Sequence, residues 1–75
     1  MSAGQVARLE VVSSAMASIG YCSTSRTLEI EFHSGAVYRF LNVPGETFEG
    51  LMKAESKGSF FNEYVRNQFA YGRGA

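Results

Sequence analysis

The clearest pattern of hydrophobic and polar positions lies in "RTLEIEF", residues 26–32. Leu28, Ile30 and Phe32 alternate with Thr27, Glu29 and Glu31. Because successive side chains of a strand point to opposite faces, this period of two predicts a strand with one buried face. Shorter apolar stretches predict three further strands: "LEVV" at 9–12, "MASIGYC" at 16–22 and "AVYRFLN" at 36–42. The first half of the chain is therefore predicted to form three or four antiparallel strands.

The length of the turn after Phe32 decides how the last two strands pair. A two-residue loop would place Glu29 opposite Phe40. A three-residue loop ending at a left-handed Gly35 would place Leu28 opposite Phe40 and Glu29 opposite Arg39. A shift of one residue turns every side chain to the other face. The three-residue loop is favoured because it pairs apolar with apolar residues and joins opposite charges.

The favoured register predicts which side chains are buried. Tyr38 and Phe40 are expected to point into the core, with the Tyr38 hydroxyl near the rim. The other face of the sheet is expected to be exposed to water and to carry Thr27, Glu29, Glu31 and Arg39.

Two helices are predicted in the second half of the chain. Phe48, Leu51 and Met52 follow Pro44 at helical spacing, and proline is favoured in a first helical turn. "SKGS" interrupts this helix, and Ser59 is the predicted N-cap of the second one. The apolar stripe of that helix is expected to contain Phe61, Tyr64, Val65, Gln68 and Phe69. An antiparallel sheet followed by two helices packed on one face is an α+β fold.

The chain has 75 residues, which is the length of one small domain. Residues 9–71 are predicted to form it, with a flexible N-terminus at 1–8 and a flexible tail at 72–75.

Composition excludes several classes of function. Seven Lys and Arg balance seven Glu, so the basic excess typical of strong nonspecific nucleic-acid binding is missing. A single Cys excludes an internal disulfide and indicates a reducing compartment, which predicts the cytoplasm. Neither a membrane span nor a signal peptide is predicted. One Cys, one His and no Asp leave little material for a metal cluster, so no metal or cofactor is expected.

Three groups of residues are candidates for chemistry. "SKGSFFN" at 56–62 would present Lys57 and free backbone N–H groups to an anion, or it is a turn between helices. Cys22 and His33 would form a nucleophilic pair only if the fold joined them, which nothing in the sequence indicates. No enzyme is predicted. The third group is aromatic and either fills the core or stacks on nucleobases: Tyr38, Phe40, Phe60, Phe61, Tyr64, Phe69 and Tyr71.

Several short segments, in order, resemble the KTSC domain family. They are "VVSSAMASIGY", "LEIEF", "SGAVYRFLNVP", "FEGLMKAESKGSFFNEYVR" and a closing "AY". The family contains small bacterial proteins and a segment at the C-terminus of some lysyl-tRNA synthetases. Its central Tyr-x-Tyr motif stands here as Tyr38-Arg39-Phe40, so the second ring lacks a hydroxyl.

The resemblance implies a noncatalytic RNA-binding module, with tRNA or single-stranded RNA as the partner. The residues expected to contact RNA are Tyr38, Arg39, Lys57, Ser59, Arg66 and Arg73. This hypothesis requires Arg39, Lys57 and Arg66 to converge on one surface. The alternative is a protein–protein interaction module that uses a sheet edge or an apolar patch of Met52, Phe69 and Tyr71.

Overall fold

The computed structural model describes residues 7–73 and contains one five-stranded sheet and two helices. The sheet is an antiparallel meander in the order β1-β2-β3-β4-β5, and both helices lie between β4 and β5 in the chain. The predicted α+β fold is confirmed, with one more strand than predicted. The elements are β1 (Arg8–Glu10), β2 (Met16–Cys22), β3 (Thr27–Phe32), β4 (Val37–Phe40), α1 (Gly45–Lys53), α2 (Lys57–Tyr64) and β5 (Tyr71–Arg73).

The favoured pairing of β3 with β4 is confirmed. Leu28 lies opposite Phe40, and Glu29 lies opposite Arg39. The Phe32 N–H donates to the Ala36 carbonyl at 2.9 Å and closes a three-residue loop. Gly35 has φ 94°, which a residue with a Cβ rarely adopts. The turn therefore fixes which side chains of β4 meet the helices.

The core lies between the sheet and the helices. Leu51 of α1 and Val65 after α2 are fully buried. Phe48 and Met52, predicted on the same stripe as Leu51, pack against this core. The ring of Phe48 also stacks on Tyr21, with centroids 4.9 Å apart. The sheet side and its connection to α1 contribute Met16, Ile19, Leu28, Ile30, Phe40 and Val43.

The prediction that the opposite sheet face is wet is wrong at Glu29. Glu29 is only 5% exposed, although α1 and α2 pack on the other face of the sheet. Arg8 Nη1 donates to Glu29 Oε1, and Arg39 Nε donates to Oε2, each at 2.7 Å. The two arginines come from β1 and β4 and lie over the carboxylate of β3. Their charges and donors compensate a burial that would otherwise be costly.

The second helix differs from its prediction at both ends. It begins at Lys57, and its N-cap is Ser56, whose Oγ accepts from the Ser59 N–H at 3.3 Å. Ser59 is thus not the cap but the residue whose N–H is capped. The helix ends at Tyr64 because the chain then turns through Asn67, which has φ 64°. Phe69, predicted on the helix, packs against the core from beyond this turn.

The chain ends differ from the predicted flexible segments as well. Arg8, predicted to be flexible, begins β1, and residues 1–6 lie outside the described part. Gly72 and Arg73, predicted as part of a tail, belong to β5 together with Tyr71. Backbone pairing with β4 holds this strand, and that pairing depends on the fold rather than on the local sequence. Residues 74–75 lie outside the described part.

Neither helix is suited to crossing a membrane. Within residues 7–73, α1 has nine residues and α2 has eight, and no helix is long and apolar enough to span a bilayer.

Replacement of glycine by alanine is expected to change the stability of the protein in opposite directions at Gly50 and Gly58. A Cβ at Gly50 of α1 would lie 2.7 Å from Cζ of the Phe60 ring, whereas the nearest atom to a Cβ at Gly58 of α2 is Ala15 Cβ at 3.6 Å. We expect Gly50→Ala to lower the free energy of unfolding by about 1–2 kcal/mol, since overpacking exceeds the gain in helix propensity. Gly58→Ala should raise it by about 0.5 kcal/mol. Urea denaturation measures both, and stabilisation by Gly50→Ala would contradict the close contact.

Candidate functional site

The six residues predicted to contact RNA lie in three separate places. Arg39 is on the sheet face away from the helices, because it alternates with Tyr38 and Phe40 along β4. Lys57 and Ser59 lie in the first turn of α2. The other three, Tyr38, Arg66 and Arg73, lie near a pocket between β4, β5 and the end of α2. The expected convergence of Arg39, Lys57 and Arg66 on one surface is wrong.

The Lys57 side chain forms its hydrogen bonds within the protein. Its ammonium donates to the carbonyls of Met52 at 3.0 Å and Ala54 at 3.2 Å. Both carbonyls belong to the C-terminal end of α1, where a positive charge is favourable to the helix dipole. The first turn of α2 thus uses its lysine to hold the end of α1, and Ser59 donates its backbone N–H to Ser56. These contacts favour the interpretation of "SKGS" as a turn between helices.

The pocket is built from a closed ring of five aromatic side chains. Each ring contacts the next, with centroids 5.4–5.8 Å apart. Four of the five contacts are close to perpendicular, with interplanar angles of 71–76°. Edge-to-face contacts of this kind are favourable and fix the orientation of the rings. In order around the pocket, the residues are Phe32, Tyr38, Tyr71, Phe40 and Phe61.

Four elements bring these rings together. Phe32 is the last residue of β3. Strand β4 supplies Tyr38 and Phe40, which point to the helix side because they alternate with Arg39. Strand β5 places Tyr71 directly opposite Phe40. Phe61 reaches the sheet from α2. Phe40 is 3% exposed and Tyr71 is 60% exposed, so the pocket has a buried floor and an accessible wall.

Positive charge lies at the edge of the pocket. Arg66 lines it, and the Arg73 guanidinium lies 5.5 Å from the centre of the Tyr38 ring. Both ion pairs within residues 7–73 are formed by Glu29 with Arg8 and Arg39. Arg66 and Arg73 therefore have no carboxylate partner in the described part of the chain, and the Arg66 side chain donates to the amide oxygen of Asn62 at 3.4 Å. Among the residues that the structure describes, no acidic one lines the pocket. The site is aromatic at its centre and cationic at its edge.

Sequence reasoning missed two residues of the pocket. The alternation along β3 predicts only a core position for Phe32, and no sequence pattern points to Asn67. The signal for Phe32 was its position on the same face of β3 as Leu28 and Ile30. That face lies on the same side of the sheet as the Tyr38 side chain of β4. Asn67 gave no signal, since its position follows from the turn that ends α2.

The apolar patch proposed for a protein partner does not form as expected. Met52 and Phe69 are partly buried against the core, and only Tyr71 of the three is exposed.

Cys22 and His33 lie at opposite ends of the β2–β3 hairpin, because Cys22 pairs with Thr27 and the strand partner of Met16 is Phe32. Hydrogen bonding with Ser25 lowers the pKa of the Cys22 thiol. His33 Nε2 lies 2.7 Å from the Ser13 carbonyl. The two side chains cannot act as one nucleophilic pair.

Comparison with known proteins gives the family. A sequence profile of the KTSC domain matches residues 12–69. The chain belongs to the KTSC domain family. A KTSC domain protein from Yersinia pestis has a similar crystal structure, with a TM-score of 0.91 and 35% identity, covering 95% of this chain and all of that one.

Two relatives differ in size. An uncharacterised protein of Stutzerimonas stutzeri is 41% identical over 61 residues, which are 81% of this chain and 86% of that protein. A lysine–tRNA ligase of Trichormus variabilis is 43% identical over 51 residues, which are 68% of this chain and only 9% of the ligase. The same domain thus occurs in small proteins and as a minor part of a large enzyme.

Proposed function

We propose that this KTSC domain is a noncatalytic RNA-binding module whose contact surface is the aromatic pocket with Arg66 and Arg73. The observation that carries the proposal is a ring of five aromatic side chains beside two arginines that have no carboxylate partner among the described residues. Single-stranded RNA offers bases that stack on aromatic rings and phosphates that pair with arginine.

The relatives support RNA as the ligand class. The segment similar to this chain in the Trichormus variabilis lysine–tRNA ligase is part of a protein named for its action on tRNA. A module that helps to hold RNA fits such a protein, and the same role is proposed for this chain in the cytoplasm. With zero net charge, the chain has no general attraction for polyanions, so the affinity should be modest and depend on the local arginines.

A protein–protein interaction module is the second candidate. Within residues 7–73, strand β5 pairs only with β4, so its other edge is open in this part of the chain, and all three of its residues are exposed. An extended peptide can add to such an edge through main-chain hydrogen bonds. The aromatic and basic composition of the pocket favours RNA over this alternative.

Fluorescence anisotropy with a labelled, mixed-sequence single-stranded RNA tests the RNA proposal. We expect salt-sensitive binding that Arg66→Ala combined with Arg73→Ala weakens by about tenfold or more at low salt, because two phosphate contacts are lost. The matched control is Arg26→Ala with Lys53→Ala, which removes the same charge from exposed positions that do not line the pocket. That pair should change the affinity by less than about twofold.

Three results would count against the proposal. No binding by the unmodified chain at low salt would exclude RNA, since charge attraction is strongest there. An equal loss in the two double variants would indicate a general charge effect. Chemical-shift changes confined to the β5 edge with a peptide, and none with RNA, would favour the second candidate.

A further inference from the structure

The size of the pocket restricts what it can hold. Its volume is about 320 Å³, near the lower limit of roughly 300–1,000 Å³ for small-molecule pockets. Rings enclose it on the sheet side and the helix side, and its floor is the buried Phe40. One flat group fits such a space. A base within a duplex has both faces covered by its neighbours, so an unpaired base is required.

The charge around the pocket further restricts which ligands of aromatic rings can bind there. Aromatic rings also bind ammonium groups, whose positive charge is attracted to the ring faces. Here Arg66 lines the pocket, and the Arg73 guanidinium already lies over the Tyr38 ring. With no carboxylate among the lining residues, a cationic ligand would be repelled. A ligand with a neutral, flat group joined to an anionic group fits both the size and the charge of the pocket. A nucleotide has this composition.

Asn67 adds a hydrogen-bonding group to this aromatic surface. It lines the pocket directly after Arg66, and its φ of 64° holds it in the left-handed turn that ends α2. A carboxamide offers both donors and an acceptor, which match the mixed donor and acceptor edge of a base. No side-chain hydrogen bond within residues 7–73 uses this carboxamide. Its donors and acceptor are thus available at the pocket.

We propose that the five-ring pocket takes one unpaired nucleobase of a single-stranded RNA, and that the Asn67 carboxamide reads the edge of that base. Tyr38 and Tyr71 contact the base, and Arg66 and Arg73 hold the neighbouring phosphates. The inference rests on the RNA-binding function proposed above and adds a residue that sets base preference.

Four RNA pentamers test the inference by fluorescence anisotropy. Each carries a different base at its centre and abasic nucleotides on both sides, and a fifth pentamer is abasic throughout. We expect one base to bind roughly 5- to 100-fold more tightly than the weakest, as for a single bidentate contact. The fully abasic pentamer should bind more weakly still, because base stacking on aromatic rings is lost.

The variant Asn67→Gly removes the carboxamide without straining the turn, since glycine adopts positive φ readily. It should bring the four base affinities within about twofold of one another while keeping binding above the abasic level. Asn67→Asp, which also fits this turn, should shift the preference toward bases that present N–H donors, because a carboxylate only accepts. The matched control is Asn42→Gly, at the other left-handed asparagine, with φ 57° and no place in the pocket. It should leave the preference unchanged.

The outcomes separate this inference from the proposed function. Binding of single-stranded RNA with no difference among the four bases, or a preference that survives Asn67→Gly, would overturn the role of Asn67 and leave RNA binding in place. Equal binding of the abasic and base-containing pentamers would overturn the base pocket. Tighter binding of a blunt duplex than of any pentamer would do the same. Binding of free nucleoside monophosphates as tightly as the pentamers would overturn RNA as the source of the base.

Discussion

Replacing Phe40 by alanine is expected to lower the free energy of unfolding by about 3–5 kcal/mol. Phe40 is 3% exposed and belongs to the buried core cluster. Its ring contacts Phe61 with centroids 5.6 Å apart and Tyr71 at 5.5 Å, so its removal leaves a cavity between sheet and helix. A domain of this size is marginally stable, and this loss is a large part of the roughly 5–15 kcal/mol that holds a typical native state.

Urea denaturation followed by circular dichroism measures this loss, and Tyr71→Ala is the matched control. Tyr71 pairs directly with Phe40 but is 60% exposed, so its truncation should cost about 1 kcal/mol or less. Comparison of the two variants separates the contribution of the five aromatic side chains to stability from their contribution to RNA binding. Phe40 is needed for the fold, whereas Tyr71 is expected to affect RNA binding more than stability. A loss below about 1 kcal/mol for Phe40→Ala would contradict its place in the core. If that variant does not fold, Phe40→Leu gives a measurable intermediate loss.

The elements that depend on local pattern were predicted well. The β3–β4 hairpin has strict alternation, a glycine at the one turn position with positive φ, and charges that pair in only one register. The stripe of Phe48, Leu51 and Met52 likewise follows from spacing within one helix. In these segments, neighbours in sequence supply most of the information that fixes the structure.

The elements that depend on distant contacts were missed. Strand β5 has only three residues. Its backbone hydrogen bonds go to β4, and both helices lie between these two strands in the sequence. The end of α2 is set by the turn that returns the chain to the sheet. A helical spacing that continued to Phe69 gave no sign of this turn, because left-handed Asn67 is a single residue in a polar stretch.

The candidate site was predicted in part for a related reason. Tyr38, Arg66 and Arg73 come together only because β5 and the end of α2 meet β4. The RNA-binding hypothesis from sequence includes both Arg39 and Tyr38, although the favoured register places the two on opposite faces of β4. Lys57 looked available for an anion, but its partners are the Met52 and Ala54 carbonyls that end the preceding helix. The sequence pattern identified residue types that can stack on bases or pair with phosphates. Which of these side chains are free to do so is decided only by the fold.

Replacing Glu29 by glutamine is expected to lower the free energy of unfolding by about 1.5–3 kcal/mol, the range for a hydrogen bond to a charged group, although it leaves no cavity. Glu29 is 5% exposed, and its carboxylate accepts from Arg8 and Arg39 through separate oxygens. Glutamine keeps one acceptor and places an amide donor against the second arginine, so one charge-assisted hydrogen bond is lost and two like charges remain close. The arginine side chains are 29% and 36% exposed, and their access to water keeps the loss below that of a fully buried pair.

The loss of the Glu29 carboxylate should also be local, and this distinguishes it from a general change of surface charge. Arg8 lies in the three-residue edge strand β1, so hydrogen exchange of the β1 amides should accelerate more than that of β3. The control is Glu31→Gln on the same strand and face, where the Ser18 hydroxyl donates to an oxygen that glutamine retains. Its effect should stay within about 0.5 kcal/mol. Equal stability of the two variants in urea would show that the arginine contacts add nothing beyond what a neutral amide provides. A selective loss at Glu29 would show that the sheet face without helices is held by charge, because a single carboxylate there joins β3 to both β1 and β4.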